Sequence, residues 1–337
     1  MKKLAFALLL LGACSDDAAT SAQNNGEHDT GMDAILLADG GADTTSSLDA
    51  SDDAQADALN DAGTESDAQI PVDLSPLGGD RPVTPILPED YDSNEKHPLL
   101  IILHGYGATG AIQRVYFRTD SVQDDLNMIV LAPDGTTDAS AKKFWNASDY
   151  CCDLFKTGVD DVTYITGLIT EAKARFNVDE KRVFLLGHSN GGFMSYRMAC
   201  ERPDLIAGIV SLAGAMPLDT SACTPTEPVA VAEIHGTADT TILYGGALAT
   251  AFSAGYPSAR ESVAFWTDYN GCDTTANTPD AIDISSEIGA ETDIESFPGC
   301  TGGASELWTI NLGPHIPGLN QEFPVKVMEF LLAHPKP

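Results

Sequence analysis

The sequence predicts an α/β fold: a mostly parallel central sheet with helices on both faces. Two observations lead to it. Short, continuously apolar runs alternate along the chain with longer segments of helical character, and turn residues separate the two. In addition, Gly187-His188-Ser189-Asn190-Gly191 has the pattern G-x-S-x-G and lies between one such run and one such helix.

The elements follow in chain order. Pro98–Leu103 is apolar throughout, as a strand buried on both faces should be, and Asn127–Ala132 is a second such run, stopped by Pro133-Asp134-Gly135. Asp160–Phe176 has helical spacing, with Asp160 or Asp161 as its N-cap. Arg182–Gly187 is the next strand and Asn190–Glu201 the next helix, closed by Pro203. Leu205–Leu212 and Val229–Ile234 are strands, Ser258–Tyr269 a helix, Glu306–Leu312 a late strand and Phe323–Ala333 a terminal helix. No internal repeat and no interior membrane-spanning run is evident.

The chain has 337 residues and a formal net charge of −32. No Lys or Arg occurs between Lys3 and Arg81, and residues 15–69 carry twelve Asp and two Glu. The remainder is acidic too, with 36 acids against 16 bases in residues 70–337. Nucleic acid, which needs phosphate-neutralising side chains, is therefore a poor partner. The expected domains are a signal segment at 1–13, an acidic tether at 14–69 and a catalytic domain at 70–337. In the tether Asp-Ala recurs among Ser, Thr, Gly and Asn, with too little apolar content to offset chain entropy. Its acids do not follow the alternating spacing of a calcium loop.

Met1-Lys2-Lys3 followed by an apolar run from Leu4 to Leu11 is too short to span a bilayer, which takes about 20 residues, and fits an export signal. It ends Leu11-Gly12-Ala13-Cys14, which resembles the bacterial lipoprotein box. The expectation is acylation at Cys14, hence a membrane partner through that anchor and a place in the cell envelope or outside the cell. An ordinary signal peptide cut near Ala13 is the alternative. Export also favours disulfides among the six other cysteines. Fifteen pairings are open. Sequence order suggests Cys200–Cys223 and Cys272–Cys300 and leaves Cys151 and Cys152 adjacent. A zinc site finds no C-x-x-C pair and no His at ligand spacing.

The chemistry rests on three residues. In the α/β-hydrolase fold a sharp strand-to-helix turn lifts the nucleophilic Ser above the sheet, and the triad runs Ser, acid, His along the chain. Ser189 fits the first place. Asp239 in His235-Gly236-Thr237-Ala238-Asp239 directly follows the strand ending at Ile234 and fits the second. Beyond Asp239 only His315 and His334 remain, and His334 lies past the last helix. His315, in a Pro/Gly-rich loop after a strand, fits the third. An oxyanion hole takes two N–H donors, here the backbone amides of Asn190 and of Tyr106 in His104-Gly105-Tyr106-Gly107. His104 precedes Ser189, the wrong order for the base, and reads as a structural residue. This chemistry calls for no metal or cofactor. Phe144, Trp145, Trp266 and Trp308 are candidates for an aromatic pocket, with burial in the core the commoner fate.

The segment Gly187–Cys200 resembles the elbow of the poly(3-hydroxybutyrate) depolymerase-like esterases, a family that includes feruloyl and acetylxylan esterases. Leu103–Gly107, Ala132–Gly135, Trp145-Asn146 with Cys151-Cys152, Val159–Val162 and His235–Asp239 with Tyr244-Gly245-Gly246 are similar as well, so the resemblance spans about residues 82–334. It implies an α/β-hydrolase fold and the triad Ser189, Asp239 and His315. It further implies an ester substrate, either feruloyl or acetyl groups on plant polysaccharide or hydroxyalkanoate oligomers. One departure stands out. The family's loop reads Gly-Gly-His and then Trp-Pro-Gly, whereas here Pro314 precedes His315 and Ile316 replaces the aromatic, which puts substrate transfer from the family in question. Competing readings are a surface binding protein without catalysis, an acyltransferase and a peptidase on the same fold.

Overall fold

A strand that is apolar at every position must be covered on both faces, and β1 (His97–Leu103) is buried at all seven positions. The computed structural model describes residues 72–251, 253–287 and 289–337. The expected signal segment, Cys14 and the acidic stretch to residue 69 lie outside the described residues. Asp73–Pro337 forms one compact unit.

After β1 come α1 (Gly110–Phe117), β2 (Ile129–Leu131) and a small antiparallel pair, β3 (Thr136–Thr137) and β4 (Lys143–Phe144). Then follow α2 (Asp161–Arg175), β5 (Val178–His188), α3 (Asn190–Glu201), β6 (Gly208–Leu212) and β7 (Ala230–Gly236). The chain closes with α4 (Ala259–Tyr269), β8 (Thr292–Ser296), β9 (Ala304–Ile310) and α5 (Glu322–Ala333). The main sheet has seven strands in the order β2-β1-β5-β6-β7-β9-β8, and every pair is parallel except β8 with β9.

Side chains alternate across a strand, so each strand feeds two cores. Leu99, Ile101 and Leu103 pack with Val183 and Leu185 of β5 and with α2 and α3 through Ile165, Leu168, Phe193 and Met198. Leu100 and Ile102 face the other way, toward Phe117 of α1 and Phe323, Val327 and Leu331 of α5. Burying each such side chain contributes about 1.5–3 kcal/mol. The predicted α/β architecture is thus the observed one, with helices on both faces.

The differences have physical causes. The late strand ends at Ile310 rather than Leu312, because Leu312 turns into the left-handed region with φ of 60° and leaves the sheet. At α2 the two candidate caps divide the work. Asp160 is the N-cap and accepts from the Thr163 amide at 3.0 Å, whereas Asp161 is buried, paired with Arg81 at 2.6 Å. Phe144, Trp145, Trp266 and Trp308 are all core residues. All six described cysteines are paired, as Cys151–Cys152, Cys200–Cys223 and Cys272–Cys300, which leaves none to bind zinc.

Candidate functional site

Because the strands are parallel, the loops after β1, β5, β7 and β9 all leave the same edge of the sheet, and each carries one part of the site. Ser189 sits between β5 and α3 with φ of 53° and ψ of −119°, a left-handed conformation unusual for a residue with a side chain. Two features hold it there. Its amide donates to the Leu212 carbonyl at 2.8 Å, and the flanking glycines let the backbones close up. A Cβ on Gly187 would lie 2.1 Å from the Gly191 carbonyl oxygen, and a Cβ on Gly191 would lie 2.1 Å from that of Leu103. The turn therefore excludes side chains at both positions.

His315 Nε2 lies 3.0 Å from Ser189 Oγ, and its Nδ1 lies 2.7 Å from Asp239 Oδ2. A carboxylate only accepts, so Nδ1 carries the proton and Nε2 is left to accept from the Ser189 hydroxyl. The three predicted residues, up to 126 positions apart in the chain, thus meet in one hydrogen-bonded line. The other oxygen of Asp239 accepts from the amides of Thr241 and Ile242 at 2.8 and 2.9 Å. Burial opposes its charge, but hydrogen bonds from His235 and His315 outweigh this and hold the carboxyl well below the usual range.

The Tyr106 loop passes directly beside the serine. A Cβ on Gly105 would lie 3.4 Å from Ser189 Cβ, and the Tyr106 hydroxyl is tied to Asp138 Oδ2 at 2.5 Å. His104 is buried beneath this loop. The Gly135 amide donates to its Nε2 at 2.9 Å, so its Nδ1 is the protonated nitrogen and donates to the Gly105 carbonyl at 2.8 Å. Both nitrogens are committed to backbone, as a structural residue requires. Trp145 adds an indole N–H bond to the His104 carbonyl at 3.1 Å.

Two further residues, His188 and His235, join the site that sequence reasoning did not assign to it, and the predicted Asn190 gains a side-chain role. The Asn190 side chain is clasped by Trp145, accepting from its amide at 2.7 Å and donating to its carbonyl at 2.8 Å. His188 donates from Nε2 to the carbonyl of His315 at 2.9 Å, and burial together with the nearby charge of His315 lowers its pKa to about 3. His235 is enclosed between Glu233 and Asp239. Burial opposes its charge, yet the hydrogen bonds to Asp239 and Glu233 prevail and raise its pKa to about 10. The only sequence signals were a His beside the candidate serine and a His opening the segment that ends in Asp239.

A family model described as Phospholipase/Carboxylesterase matches residues 91–254, a stretch that includes Ser189 and Asp239. NocK of Nocardia uniformis subsp. tsuyamanensis, named as an esterase, is 31% identical over 158 residues, 47% of this chain and 43% of that protein. Feruloyl esterase B of Piromyces equi is 27% identical over 240 residues, 68% of this chain and 42% of that protein. The chain therefore spans less than half the length of these two relatives. Among solved structures, the acetyl xylan esterase from Aspergillus awamori superposes with a TM-score of 0.55 over 77% of this chain and 97% of that one, at 15% identity, a likeness of fold. Taken with the elbow and the parallel sheet, these similarities show a fold of the α/β-hydrolase type and a likeness to carboxylesterases and feruloyl esterases.

Proposed function

We propose that the chain is an exported serine hydrolase of carboxylic esters, with Ser189 as nucleophile, His315 as general base and Asp239 as the group that orients it. The observation that carries this reading is the Ser189–His315–Asp239 line, at 3.0 and 2.7 Å, built on a left-handed elbow at the head of α3.

In this reading His315 Nε2 takes the Ser189 proton as Oγ attacks the ester carbonyl. The carbonyl oxygen becomes an oxyanion, held by the backbone amides of Tyr106 and Asn190, and the head of α3 favours the same negative charge. His315 returns the proton to the departing alcohol and leaves an acyl group on Ser189. Water, deprotonated by His315, then releases the acid and restores the serine. Asp239 keeps the proton on Nδ1 throughout and stabilises the imidazolium.

The substrate class we favour is a feruloyl or acetyl ester on plant polysaccharide. Support comes from the feruloyl and acetylxylan esterases among its relatives. Ile316, 63% exposed and next to His315, offers an apolar rim to an acyl or alcohol group. Acylation at Cys14 would hold the enzyme at a membrane surface, and the three disulfides fit an oxidising compartment.

The test is hydrolysis of methyl ferulate by the full chain, with Ser189→Ala alongside. Ferulate release that falls by at least about 1,000-fold in the variant is the expected result. No release with methyl ferulate but release from hydroxybutyrate oligomers would move the enzyme to the hydroxyalkanoate class. Equal activity of parent and variant would overturn the mechanism.

A further inference from the structure

Behind Asp239 lies a buried pair of titratable groups that the proposed mechanism does not use. Glu233 and His235 both project from β7, two residues apart and hence on one face, and both are fully or almost fully buried. His235 Nδ1 lies 3.0 Å from Glu233 Oε1. Its Nε2 lies 2.8 Å from the Ile242 carbonyl oxygen and 3.4 Å from Asp239 Oδ2. A carbonyl only accepts, so Nε2 is protonated. A second proton lies between Nδ1 and Glu233, on the ring or on the carboxyl. The Asp239 carboxylate decides between them, because an anion beside the ring favours the imidazolium.

We propose that His235, held as an imidazolium by Glu233, is a positioning residue that keeps Asp239 anionic and aligned on His315, so that the site is a line of five groups rather than three. This rests on the reading of Ser189, His315 and Asp239 as the triad. The charged and titratable groups around His235 are few. Glu233 and Asp239 flank it, His315 and His188 lie beyond Asp239, and the Tyr244 ring meets it edge-on with centroids 5.7 Å apart. Tyr196 of α3 faces Glu233 from the far side. Asp239 is thus bound on one side by the ring that reaches Ser189 and on the other by a ring that cannot reach it.

Two measurements test this on the full chain. In the 15N-labelled protein at pH 8, the His235 ring, assigned by its absence in His235→Gln, should show both nitrogens protonated. A neutral ring at pH 8 would overturn the proposal whether or not any ester is cleaved. Glu233→Gln retains shape but removes the anion, so His235 should lose its second proton. We expect kcat to fall about tenfold while KM stays within about twofold. An unchanged kcat, or a KM that moves with it, would reduce the pair to a structural feature. Ser189→Ala separates the two failures, since an active Ser189→Ala removes the triad reading itself while leaving the protonation of His235 as measured.

Discussion

His188 Nε2 donates to the backbone carbonyl of His315 at 2.9 Å, so the residue before the candidate nucleophile grips the loop that carries the candidate base. Serine and base are thereby set relative to each other through one hydrogen bond and one peptide step. We predict that His188→Asn folds but lowers kcat by about ten- to a hundredfold, the equivalent of a buried hydrogen bond lost at about 1–3 kcal/mol. Steady-state kinetics beside circular dichroism check it. A variant with unchanged kcat would show that the loop holds His315 by itself.

His188 and His235, both buried, should give stability opposite pH dependences. His188 titrates at about 3 when folded against 6.5 when free, so the unfolded chain binds the extra proton between those values and stability declines as pH falls from 6.5 toward 3. For His235 the folded value of about 10 lies above 6.5, so its contribution is complete below 6.5 and is lost as pH rises through 10. Urea unfolding across this range should show the acid slope flatten in His188→Asn and the alkaline slope flatten in His235→Gln. Each change is at most about 1.4 kcal/mol per pH unit. Identical pH dependences in parent and variants would contradict these assignments.

Close backbone contact at the elbow yields a graded prediction. Gly191→Ala places a methyl group 2.1 Å from the Leu103 carbonyl oxygen, and we expect no folded protein on expression. Gly105→Ala meets the His188 ring at 3.2 Å and Ser189 Cβ at 3.4 Å, a contact that small shifts can relieve. It should fold, with a Tm lower by a few degrees and a larger loss in kcat than in stability, because the displaced segment carries the Tyr106 amide. Soluble yield and kcat together decide this.

The Cys200–Cys223 bridge ties the end of α3 to a segment 23 residues on. A closed loop of that size is worth about 3 kcal/mol through restriction of the unfolded chain. The double variant Cys200→Ala with Cys223→Ala should lose about that much in denaturant titration, with kcat unaffected because the bridge lies at the far end of α3 from Ser189. A change in kcat larger than twofold would tie the bridge to the site.

Much of this molecule could be read from its residues, for reasons that differ by element. Leu99–Leu103 and Phe184–Leu186 are buried on both faces, so composition alone marks them as strands. That Ser189, Asp239 and His315 come together could be anticipated because each follows a strand in a fixed chain order. The helix α1 could not be, since Ile112 and Val115 point to water and its buried positions are Gly110, Gln113 and Phe117. Strand β8 could not be either, because Thr292-Asp293-Ile294-Glu295-Ser296 is mostly polar and is defined by its pairing with β9 and by bridges to Asn277 and Ile282. His235 has its partners within seven residues, at Glu233, Asp239 and Ile242, but only burial makes that local cluster a part of the site, and the role of His188 depends on a partner brought close by the fold. His188 meets a carbonyl 127 residues away, and no local pattern records that.

The common sheet edge has a consequence for how this chain could change. Tyr106, Ser189, Asp239 and His315 are each anchored within a few residues of a strand end, while long intervening segments such as 136–160 and 240–257 carry none of them. The exposed positions of these segments can vary while the four anchoring points stay fixed, but Trp145 and Ile242 cannot, because from within the segments they bond to Asn190, His104, Asp239 and His235.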